Sequence, residues 1–128
     1  MSSEGYHEPI EELNDEVRDF HRAVVSLMEE LEAVDWYNQR VAACKDPHLK
    51  SILAHNRDEE KEHFAMLLEW YRRRDTKMDA HLKEYLFTTG SLIMREQAMT
   101  GGGNGAAEPA AGSDGSLGIG SLKGGQGL

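Results

Sequence analysis

Ile10, Leu13, Val17, Phe20, Val24, Leu27, Leu31 and Val34 follow one another at alternating steps of three and four residues, without a break. That spacing returns each side chain to one stripe of an α-helix, and such a stripe must be covered by another element. Pro9 opens this helical pattern. Asp46 and Pro47 then supply an N-cap and a proline at the first position of a second helix. This helix is expected to run to about Arg74, where Arg72, Arg73 and Arg74 suit the negative end of its dipole. A shorter third helix, from about Lys77 to Thr88, stops at Gly90. Residues 91–98 fit either a helical extension or a frayed end. The pattern predicts an all-α fold of two long antiparallel helices plus a short third helix. The helical part ends near Met99, too short for four long helices, so a second copy is expected to complete the bundle.

The chain thus divides into a helical domain (1–98), a flexible linker (99–113) and a tail (114–128). Gly, Ala, Pro and Ser dominate the linker and cannot build a core. In the tail, Leu117, Ile119 and Leu122 stand apart among small residues, a pattern suited to an extended peptide docking into pockets of another protein.

The formal net charge is −9; the part from Met99 carries Glu108, Asp114 and Lys123, net −1, leaving −8 on the body. That balance argues against nucleic acid and anionic membrane as partners and favours attraction of cations. No stretch reads as a transmembrane helix or signal peptide. The single Cys44 excludes an intrachain disulfide and fits a reducing cytosol.

The second helix breaks its own apolar stripe. Between Leu49, Ile52 and Leu53 at one end and Met66, Leu67, Trp70 and Tyr71 at the other, the same face carries Asn56, Glu60 and His63. Glu60 and His63 are three apart and project from neighbouring positions. A carboxylate set in such a stripe without a partner costs several kcal/mol, so a cation is the expected companion. If the chain turns near Lys45, residues level with one another across the two helices have numbers summing to about 90, which pairs Glu60 with Glu30. A Glu on one helix and a Glu-x-x-His on the next form half of the ligand set of carboxylate di-iron bundles. Two copies would supply four carboxylates and two imidazoles, whose charge balances two Fe²⁺. Mixed carboxylate and histidine donors suit iron.

Other readings of these residues stand beside this one. His55, Glu59 and His63, at four-residue steps, form a rival zinc-like set. Glu-x-x-His also arises in solvated acidic helices that bind nothing. His7, His21, His48 and His81 have no partner pattern. Glu29, Glu32 and Asp35 make either a solvated face or a gathering route that admits Ca²⁺ or other divalent cations at secondary acidic sites. Trp36 follows, and Tyr37 lies one heptad after Glu30, as packing or as a redox neighbour.

Four stretches resemble the encapsulated ferritins, cargo enzymes of encapsulin compartments: residues 28–37, 52–63, 81–87 and 114–123. The resemblance implies a ferritin-like half-bundle completed by dimerisation to a four-helix bundle, and dimers assembled into a ring-shaped decamer. It implies iron ligation by Glu30, Glu60 and His63, with Glu29, Glu32 and Trp36 at positions linked to metal entry and Tyr37 beside the centre. It further implies that the tail loads the chain into an encapsulin shell. The expected function is a cytoplasmic ferroxidase inside that nanocompartment, oxidising Fe²⁺ with O₂ at a di-iron centre and delivering iron for mineralisation. Rival functions are a divalent-metal-binding dimer without turnover and a helical adaptor carried as cargo.

Overall fold

The computed structural model describes residues 5–101, and every described element is helical, with no strand among them. The tail and most of the linker lie outside the described residues. The chain divides into two compact units at Asp75–Thr76.

In the first unit, Ile10–Glu12 form a single 3₁₀ turn and α1 runs from Asp15 to Ala43. The expected start at Pro9 is corrected here. Leu13 is extended (φ −104°, ψ 124°), and Asn14 caps α1 by accepting the Val17 N–H at 2.9 Å. An Asn that satisfies an orphan donor outcompetes a proline that only presets φ. Ile10 and Leu13 therefore lie outside α1. The Arg18 guanidinium donates to the Ile10 carbonyl at 2.5 Å and holds the 3₁₀ turn against the helix.

The second helix spans Pro47–Arg74 as expected: α2 begins with Asp46 accepting the His48 N–H at 3.0 Å and Pro47 just inside. It ends beneath Arg72, Arg73 and Arg74, beyond which the chain extends at Asp75. α1 and α2 pack against one another along their lengths. The pairing is antiparallel in the expected register. Phe20 lies against Trp70 and Tyr71, with ring centroids 5.6 and 4.9 Å apart, and Arg57 Nη1 donates to Asn38 Oδ1 at 3.0 Å.

The hairpin buries almost nothing by itself. Ala23, 6% exposed, is the one buried apolar residue among those described, while Val17, Leu31, Ile52 and Met66 are 45–60% exposed. Half-covered apolar stripes on both long helices mean that each has one more face than its neighbour can cover.

The second unit holds α3 (Thr76–Tyr85) and α4 (Leu92–Gly101). α3 stops before Thr88 because Phe87 takes the left-handed conformation (φ 62°), which no helix can propagate. Gly90, at φ 88°, turns the chain again where a side chain would be strained. Residues 92–98, which the spacing leaves undecided, are helical within α4. Arg95 fastens α4 by donating to the Glu84 carbonyl at 2.8 Å and pairing with its carboxylate at 2.6 Å. No described helix is long and apolar enough to cross a membrane.

Candidate metal centre

Midway along the hairpin, Glu30 of α1 meets Glu60 and His63 of α2. His63 Nδ1 stands 3.2 Å from Glu60 Oε1 and 3.5 Å from Glu30 Oε1. The first distance follows from the three-residue step on one helix; the second crosses between helices and depends on register alone. All three are half-buried, at 23% exposure for Glu30, 25% for Glu60 and 41% for His63. Ligand atoms of the three lie within 4.8 Å of one another, the only such His, Cys, Asp or Glu cluster among the described residues.

The cluster's electrostatics reflect two acids in one place. A hydrogen bond with Glu60 raises the Glu30 carboxyl above the ordinary range, and burial and the Glu60 charge add to it. The same bond lowers Glu60, against burial and with help from His63. Partial burial pushes His63 down, but its hydrogen bonds and charge attraction to the two carboxylates outweigh that and leave it raised. A cation placed here would supply neutralising charge to the two carboxylates.

The donors fit a divalent metal. With bonds of about 2.1 Å, neighbouring ligands around one octahedral ion stand about 3 Å apart, close to the spacings present before any ion has drawn them in. Two anionic oxygens and one imidazole are also the donor chemistry that iron accepts.

The other predicted positions lie apart from this trio. Glu29, Glu32 and Trp36 are exposed on α1, Trp36 by half its surface. Tyr37 is half-buried with the Arg40 guanidinium 5.3 Å from its ring centroid. In the rival set, His55 Nε2 and Glu59 Oε2 are 3.7 Å apart, but the His63 ring turns to Glu30 and Glu60 instead. Sequence reasoning overlooked an open groove of about 680 Å³ beside the trio. Asp19, Ala23, Ser26 and Glu30 line one wall and His63, Met66, Leu67 and Trp70 the other. Its signal was present in the three- and four-residue steps from Asp19 to Glu30.

With this geometry in hand, comparison with known proteins decides the family. The EncFtn-like family profile matches residues 5–89, which hold the whole hairpin and α3. The chain belongs to the EncFtn-like family. This EncFtn-like chain is 59% identical over 128 residues to the "Encapsulated ferritin-like protein" of Rhodospirillum rubrum, covering 97% of this chain and 91% of the relative. It is 33% identical over 86 residues to the "Encapsulin nanocompartment cargo protein EncC" of Myxococcus xanthus, covering 67% of this chain and 61% of that one. The crystal structure of protein ne0167 from Nitrosomonas europaea is similar, with a TM-score of 0.67 and 69% identity over 69% of this chain and 97% of that one.

Proposed function

We propose that this EncFtn-like chain is a ferroxidase whose di-iron centre forms between two copies. The observation that carries this reading is the meeting of Glu30 with Glu60 and His63 across two helices that leave their apolar faces half-covered. One chain holds three ligands. A second copy related by a two-fold axis would cover the open stripe and bring three more, giving four carboxylates to balance two Fe²⁺. In this reading iron is the substrate: each Fe²⁺ gives one electron to O₂, two Fe²⁺ per O₂ where hydrogen peroxide forms and four where water forms, one proton is taken up per electron, and Fe³⁺ leaves. The residues contribute position and charge balance. Glu30 and Glu60 hold the two cations close together, and His63 adds a neutral donor. Exposed Glu29, Glu32 and Trp36 lie on α1 where cations would be gathered from solvent, and they would offer Ca²⁺ or other divalent ions weaker secondary sites. Tyr37 would stand beside the centre.

The names of the relatives, one encapsulated and one an encapsulin nanocompartment cargo, support an encapsulin shell as the partner and its interior as the location; the proposal places that shell in the cytoplasm. Residues 114–128 are the proposed attachment, and dimers gathered into a ring-shaped decamer the proposed assembly.

Oxygen uptake after anaerobic protein receives Fe²⁺ and then O₂ tests the activity. Glu60→Ala and His63→Ala are each expected to slow oxidation at least about 100-fold while circular dichroism shows the helices intact. Glu30→Ala should match them, and normal oxidation by that variant would place the third ligand elsewhere. Full binding of iron with no oxygen consumed would favour the metal-binding dimer.

A further inference from the structure

The ligand row lies between two links that join α1 to α2. On one side, ten residues before Glu30, Phe20 packs against Trp70 and Tyr71. On the other, eight residues beyond Glu30 and one turn before Glu60, Arg57 donates to Asn38 at 3.0 Å. The Arg57 side chain is only 22% exposed, and its Nε donates to the adjacent Asp58 carboxylate at 3.1 Å, which fixes the guanidinium plane.

These links matter because the rest of the hairpin specifies axial position weakly. With Ala23 the one buried apolar residue among those described, apolar side chains of similar size can shift along half-covered stripes with little loss of contact. A directional hydrogen bond is lost over a much smaller displacement. Glu30 reaches His63 only across the helix pair, so a slip of about 1.5 Å, one residue's rise, would stretch that contact beyond hydrogen-bonding distance.

We propose that Arg57 and Asn38 are positioning residues that lock the α1–α2 register and so hold Glu30 level with Glu60 and His63. The inference rests on the reading of those three as a metal centre.

The test uses the full chain and Co²⁺, an oxidation-stable probe whose visible absorption reports ligand geometry. Asn38→Ala and Arg57→Met should each weaken Co²⁺ binding about 10-fold and alter the band shape, as loss of a supporting contact does. The double variant should be no worse than either single one, because one bond is at stake. Asn38→Asp keeps an acceptor at the same place and should restore affinity. If Asn38→Ala lowers the melting temperature but leaves Co²⁺ affinity and spectrum unchanged, the bond is merely structural and the proposal fails. If wild-type protein takes up no Co²⁺, or Glu60→Ala binds it equally well, the metal-centre reading fails first and the proposal with it.

Discussion

The hydrogen bond between Glu30 and Glu60 and the attraction of His63 to both carboxylates raise Glu30 and His63 above their ordinary values, and this fixes the sign of their response to pH. In the proposed centre, metal binding would need Glu30 ionised and His63 neutral, while both groups hold their protons to higher pH than usual. Affinity for Fe²⁺ or Co²⁺ should therefore be highest above the raised His63 value and should fall as pH drops through it and then through that of Glu30. The metal-free protein responds in the opposite sense to His63. A raised folded pKa contributes stability that is complete below the ordinary value of 6.5 and is lost as pH rises through the folded value. Thermal melts with and without Co²⁺ at about pH 6 and pH 8 check both statements: the metal-induced rise in Tm should be larger at the higher pH. An equal rise would mean that no proton is displaced and that the ion sits elsewhere. At this scale the sequence was highly legible, since the Glu60–His63 step follows from helix geometry. Their proximity to Glu30 followed from counting back from one turn. The groove escaped notice because Asp19 and Ser26 interrupt its apolar pattern with polar side chains.

Helix ends were read well where one residue dominated and poorly where two competed. Asp46 and Pro47 act together, and α2 starts where they place it. Pro9 and Asn14 both signal a start, and only the hydrogen bond from Val17 decides between them. The early end of α3 depends on Phe87 adopting positive φ, a choice that bulky residues rarely make and that spacing alone does not announce. The close of α2 permits a direct test of local electrostatics. Glu69 accepts from Arg72 and Arg73 at 2.7 Å, and these bonds lower its carboxyl to about 2. A depressed folded pKa contributes stability that is present above the ordinary 4.5 and is lost as pH falls toward about 2. Glu69→Gln should therefore lower Tm slightly at neutral pH and have no effect near pH 2. The difference should be small, because the side chain is 40% exposed and salt screens it. A constant difference at every pH would show that Glu69 acts by packing.

The described residues, with Ala23 the one buried apolar side chain among them, do not make a self-sufficient core. The proposed second copy accounts for that deficit and for the half set of ligands at the same time. Met66, 60% exposed on the groove wall beside His63, is the place to separate assembly from ligation. Met66→Glu leaves Glu30, Glu60 and His63 in place and sets a charge on the face that the proposed second copy would cover. It should yield monomers by sedimentation and lose iron oxidation, and a monomer that oxidises iron at the full rate would overturn the shared centre. The tail is a separate matter, because the proposed association uses the hairpin and the proposed capture by a shell uses residues 114–128. Leu117, Ile119 and Leu122 are set among glycines and serines and follow a stretch too poor in apolar residues to tie them to the bundle. Removing residues 114–128 should accordingly leave oligomer mass and oxidation rate unchanged while abolishing co-purification with a co-expressed encapsulin shell. Replacing the three apolar residues with Ser should reproduce the deletion, since an extended peptide is held by the side chains that enter its partner's pockets. Undiminished loading of the triple variant would remove the tail as the attachment and leave the helical body to carry the contact.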